Sequence, residues 1–148
     1  MDQKLLSRFK EFYTLETFQV AYYNEQLQSS TDEYYCHAFE KMAQIEQGHV
    51  DFFAEELDKA NVDPPTVKGS VFSLAGTFLG DMVKSTGAHN TCKLGMALEN
   101  KAIQTYQAFI QESTDKKYSI LRRTLMEYRL DEEFHSLWLQ DYMKKHPI

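Results

Sequence analysis

Apolar positions recur at helical spacing along most of the chain, as in Leu5, Phe9, Phe12 and Phe18 near its start and Leu121, Leu125 and Tyr128 near its end. Residues three, four or seven apart share one face of an α-helix, so these runs predict amphipathic helices with one buried stripe each. No stretch alternates apolar and polar residues as a half-buried strand would. With only six glycines and three prolines to interrupt the pattern, helices are predicted over 3–29, 31–60, 89–113 and 115–145. The expected architecture is an all-α four-helix bundle, one domain spanning residues 1–148.

Two short polar breaks separate the helices within each half. They read Ser29-Ser30-Thr31-Asp32 and Ser113-Thr114-Asp115, and Ser30 with Glu33 has the spacing of a capping box. Between the halves lies a connection of roughly 28 residues, opening at Asn61-Val62-Asp63-Pro64-Pro65 and closing near Gly87. Each predicted helix is on the order of 40 Å long at about 1.5 Å per residue, and the connection can span that length. It therefore reads as a crossover joining two antiparallel hairpins. Its apolar part, Val71 to Gly80, is expected to form a short extra helix lying on the bundle, and residues 71–83 are a candidate gate to an apolar cavity.

Charge and cysteine content narrow the function. A net charge of −6 and a pI near 5.3, with no basic block beyond Lys144-Lys145, exclude nucleic acid as the expected partner. Cys36 and Cys92 stand far apart, without the paired spacing of a disulfide framework or a cysteine-bound metal site. The chain opens Met1-Asp2-Gln3-Lys4 without an apolar signal region, and no apolar run reaches the roughly 18 residues needed to span a bilayer. A cytoplasmic location without membrane contact is expected.

The candidate chemistry comes as one pattern written twice. Glu16 is followed seven residues later by Tyr23 and then by Glu46 and His49; Glu99 is followed seven residues later by Tyr106 and then by Glu132 and His135. A single Glu-x-x-His match is cheap in a chain with 13 Glu and 5 His. The specificity lies in four matches in the same order, with partner separations of 30 and 33 residues. The midpoints of Glu16 with Glu46 and of Glu99 with Glu132 fall at 31 and 115.5, within the first polar break and at the edge of the second. On a helix Glu46 and His49 point the same way, as do Glu132 and His135, whereas His37 and Glu25 fall about 180° from their neighbours Glu46 and Glu16 and are expected to face outward.

Four carboxylates converging in a core cannot stay ionised without compensation, since burying each costs several kcal/mol. Two divalent cations supply the cancelling charge, and oxygen-rich sites with one imidazole per metal suit iron first and manganese second. In that arrangement Glu16 and Glu99 are terminal ligands, Glu46 and Glu132 bridge, and His49 and His135 each complete one metal. Tyr23 and Tyr106 are candidates to donate hydrogen bonds to the ligating carboxylates, and Asp131 to orient a ligand imidazole. The first half carries Ile45 where the second has Asp131, so the two metals need not be equivalent. Gly48, in mid-helix between two ligands, either leaves room near the metals or allows close helix packing.

The paired Glu-x6-Tyr and Glu-x-x-His pattern resembles the ferritin-like superfamily over nearly the whole chain, in particular its rubrerythrin and demethoxyubiquinone hydroxylase branches. Three stretches are most similar to the hydroxylase branch: the crossover from Gly69 to Asp81, the segment from Leu98-Glu99 to Tyr106, and Arg129-Leu130-Asp131-Glu132-Glu133-Phe134-His135. That resemblance implies a di-iron centre that activates dioxygen to hydroxylate an apolar, quinone-type ring. The rubrerythrin branch implies a peroxide reductase, here one needing an external electron donor because the chain has no cysteine pairs. An iron-binding or iron-oxidising protein without an organic substrate, built as a homo-oligomer, is the third expectation.

Overall fold

The computed structural model describes residues 2–29, 31–66 and 87–146. These form four long α-helices: α1 (Gln3–Ser29), α2 (Glu33–Lys59), α3 (Gly87–Glu112) and α4 (Ser119–Lys145). The helices fall into two compact units with one hairpin in each. The crossover helix and the gate expected at 71–83 lie outside the described residues.

In the first hairpin α1 packs along α2. Phe12 stacks on Phe53 with ring centroids 5.0 Å apart, Phe9 meets the same ring at 5.9 Å, and Tyr23 meets Phe39 at 6.4 Å. Each pair lies symmetrically about positions 31–33, which is the signature of an antiparallel hairpin turning at the first polar break. The aromatic stripe that carries this packing, Phe9, Phe12 and Phe53, is buried almost completely. Each such side chain contributes on the order of 1.5–3 kcal/mol by leaving water.

Helix α2 is capped by Asp32, whose carboxylate accepts hydrogen bonds from the Tyr34 and Tyr35 amides. The cap expected at Ser30 is therefore displaced by two residues, because Asp32 both sits directly before the first helical residue and carries the stronger acceptor. At the other end Asn61 takes a left-handed φ of 57°. The Val62 amide bonds back to the Leu57 carbonyl and the Asn61 amide to Asp58, which closes the helix in a Schellman motif.

In the second hairpin α3 packs along α4, and its contacts lie symmetrically about positions 116–117. The fourth helix begins at Ser119 rather than at the expected 115. The reason is local: the Asp115 carboxylate accepts from the Lys117 amide and caps a single 3₁₀ turn, Lys116–Tyr118, before the helix proper. The Arg122 guanidinium donates to the Ser113 carbonyl and ties the two sides of this turn together.

Candidate metal centre

Each hairpin brings its share of the six expected ligands onto one buried stripe. In the first, Glu16 comes from α1 and Glu46 and His49 from α2; in the second, Glu99 comes from α3 and Glu132 and His135 from α4. None of the six is more than 4% exposed. His37 and Glu25 face outward, as their helical phase requires, and His37 is paired only loosely with Glu40 at 3.9 Å.

Within the first hairpin Nδ1 of His49 lies 3.3 Å from Oε2 of Glu16 and 3.4 Å from Oε2 of Glu46. One ligand atom from each of these three residues lies within 4.8 Å of the others. In the second hairpin Nδ1 of His135 lies 3.5 Å from Oε1 of Glu99, and ligand atoms of Glu99, Glu132 and His135 again lie within 4.8 Å of one another. The same ring nitrogen, Nδ1, is turned toward the carboxylates in both halves.

The donor set fits a metal. Two donors bound to one ion at roughly 2.0–2.2 Å stand roughly 3 Å apart, close to the spacings seen between the imidazole and carboxylate atoms. Buried carboxylates facing one another repel when ionised, and cations relieve that repulsion more completely than the neutral imidazoles alone. Glutamates with one histidine form an oxygen-rich set of the kind iron and manganese accept. The two buried Glu/His clusters are thus compatible with iron.

The tyrosines are placed as their spacing requires, Tyr23 and Tyr106 both being fully buried. Tyr23 lies edge-on to Tyr22 at 5.1 Å, and Tyr106 edge-on to Tyr128 at 6.3 Å. Asp131 is half-buried one turn before His135. Gly48 departs from both expectations: it is exposed, and a Cβ added there would meet nothing within 4 Å. It neither makes room beside the ligands nor permits a close helix approach.

The sequence reading overlooked polar groups on the same stripes. Gln19 and Gln26 are buried on α1, and Thr105 and Ser136 on α3 and α4. Gln19 lies three residues after Glu16, so the helical phase that found Tyr23 also picks out this side chain. The equivalent position three residues after Glu99 is Ala102, which is also buried. The two half-sites therefore share their ligands and differ in the polar groups beside them. An open cavity of about 470 Å³ in the second hairpin is lined by Met96, Gln140, Met143 and Lys144. Met96 stands one turn before Glu99, and its sulfur lies 3.9 Å from the Ser136 hydroxyl.

Comparison with known proteins places this geometry. No curated protein matches the chain significantly. Among solved structures, the crystal structure of a ferritin-like, diiron-carboxylate protein from Bacillus anthracis str. Ames is similar, with a TM-score of 0.77 and 19% identity over 97% of this chain and 99% of that one. A dodecameric thioferritin, the bacterioferritin-related protein from Bacteroides fragilis, is similar with a TM-score of 0.75 and 19% identity, covering 98% of this chain and 88% of that one. These likenesses show the fold, a ferritin-like four-helix bundle. The family model for ubiquinone biosynthesis protein COQ7 matches residues 16–145, from Glu16 to the last residue of α4, and the chain belongs to that family.

Proposed function

We propose that the two buried Glu/His half-sites hold two iron ions, and that the protein is an oxidoreductase using dioxygen to hydroxylate an apolar, quinone-like ring. The observation that carries this reading is the duplicated, fully buried set of two carboxylates and one imidazole, with donor atoms within 4.8 Å of one another in each hairpin. The family match supports it, since the matched residues include all six proposed ligands. A pair of irons held by these residues would supply the redox chemistry of dioxygen activation.

The chain's own residues have separate tasks. Glu16 and Glu99 would serve one metal each, Glu46 and Glu132 would bridge, and His49 and His135 would present Nδ1. Tyr23 and Tyr106 donate to ligating carboxylates and fix their rotamers, and Asp131 holds the ring of His135. Phe12, Phe53, Leu98 and Leu125, all fully buried, keep bulk water away. The cavity bounded by Met96 and Met143 supports an apolar substrate, because flexible thioethers accommodate a ring without demanding hydrogen bonds from it. In the balanced reaction one oxygen atom of dioxygen enters a ring C–H bond as hydroxyl and the other leaves as water, with two electrons from an external donor and two protons from that donor or solvent. The two lone cysteines are not arranged as an internal electron carrier.

The test is metal content per chain, followed by anaerobic reduction and exposure to ¹⁸O-labelled dioxygen with a short-chain quinone analogue and a chemical donor. Two irons and one labelled oxygen in the product are expected. Two irons with rapid oxidation but no labelled product would replace the hydroxylase with an iron-oxidising protein, and faster turnover with peroxide would favour a peroxide reductase. Glu46→Ala should lose at least one metal, whereas His37→Ala should lose none; two metals retained in the Glu46 variant would overturn the bridging assignment.

A further inference from the structure

Helix α4 has a second face that the metal site does not use. With Glu132 set at 0°, Leu137, Leu130 and Phe134 fall within about 40° of the opposite side of the helix, and Met126 and Ile120 flank them at about 60° on either side. All five are exposed, between 46% and 80%. Five large side chains exposed to that degree present on the order of 600 Å² of apolar surface, at the upper end of what a monomer usually shows in one patch.

We propose that this face binds the same face of a second copy, the two α4 helices crossing antiparallel about a two-fold axis beside residue 132. The pattern along the stripe is complementary to its own reverse. Leu130 and Phe134 lie symmetrically about position 132, so each meets the other across the axis. Arg123 and Asp141 are also symmetric about 132, exposed, and 18 residues apart. Eighteen residues make five helical turns, so the two charges share one phase and stand about 27 Å apart. Antiparallel pairing sets Arg123 of each copy against Asp141 of the other at both ends of the apolar strip; parallel pairing would set like charges together. Asp141 already lies 2.9 Å from Lys145, but both are about 60% exposed, and an ion pair so open to water is readily shared with a new partner. Two such faces bury on the order of 1,200 Å², which reaches the range of specific interfaces. An isologous contact of this kind closes on itself and leaves a discrete dimer.

The proposal is independent of the metals and is tested on the full chain by sedimentation equilibrium between 1 and 100 μM, with and without iron. A mass of two chains, each 17.3 kDa, is expected, and Leu130→Glu/Phe134→Glu should reduce it to one. Because these side chains are exposed, helix content by circular dichroism should not change. Arg123→Asp alone should weaken association at least tenfold, and Arg123→Asp/Asp141→Arg should restore it. A wild-type monomer at 100 μM, or no recovery in the doubly exchanged variant, would overturn the pairing. So would a monomer that floats with phosphatidylcholine vesicles and loses them in the Leu130/Phe134 variant, which would make the face a lipid contact.

Discussion

Replacing Glu16 by leucine should change stability in opposite directions with and without metal. Glu16 is fully buried, and its Oε2 faces Nδ1 of His49 at 3.3 Å, while the same nitrogen keeps Glu46 at 3.4 Å when Glu16 is gone. The imidazole therefore retains an acceptor. Metal-free protein holds this carboxylate at a cost of several kcal/mol; replacing a whole buried ion pair by apolar side chains is neutral or stabilising by about 1–4 kcal/mol, and because Glu46 keeps the imidazole an acceptor, Glu16→Leu is expected to share that sign. A gain of about 2 kcal/mol raises Tm by roughly 4–8 °C in a chain of this size. The metal-loaded wild type behaves oppositely: at a hundredfold excess of metal over its Kd, binding adds about 2.7 kcal/mol that the variant forgoes. Thermal unfolding of chelator-treated and iron-loaded protein, wild type and Glu16→Leu, measures all four values. If the metal-free variant is less stable by about 3 kcal/mol or more, the contact of Glu16 with His49 outweighs the cost of burying the carboxylate, and the expected gain is wrong. An undiminished response to iron in the variant would remove Glu16 from the ligand set.

Other perturbations have equally definite outcomes. Gly48→Ala should stabilise the protein by about 0.5–1 kcal/mol in urea unfolding, because the helix gains a better former and the new methyl group meets nothing. Phe53→Ala should cost about 3–5 kcal/mol, since Phe53 is the ring that both Phe9 and Phe12 touch. Asp32→Ala should cost about 1 kcal/mol by leaving the Tyr34 and Tyr35 amides without their cap. Met96→Trp should keep both metals yet lower kcat/KM at least tenfold on a quinone analogue by filling the cavity beside α3; unchanged turnover would place the substrate elsewhere.

The helices and the six candidate ligands were legible in the sequence because both rest on periodicity. Glu46 and His49 share a face whatever packs around them, and the polar breaks near 31 and 115 agree with the ligand spacing. What the sequence hid depends on competition between neighbours. Ser30 and Asp32 were both able to cap α2, and the choice is decided by which residue immediately precedes the first turn. Asp115 diverts the chain into one 3₁₀ turn and delays α4 by four residues, an outcome that a count of ligand spacing does not register. Gly48 invited a functional reading from its place between two ligands, yet it lies on the opposite, exposed side of the stripe.

Each half-site is completed inside a single hairpin, and this bears on how the protein is made. His49 reaches Glu16 across 33 residues, and His135 reaches Glu99 across 36. Closing a loop of that size carries an entropic cost that grows only logarithmically with length, and contacts so local favour rapid folding. The first hairpin is complete by about residue 60, so on a ribosome its three donors can be gathered while the rest of the chain is still being synthesised. The three buried donors of the first half are thus assembled before Glu99, Glu132 and His135 have been added to the chain.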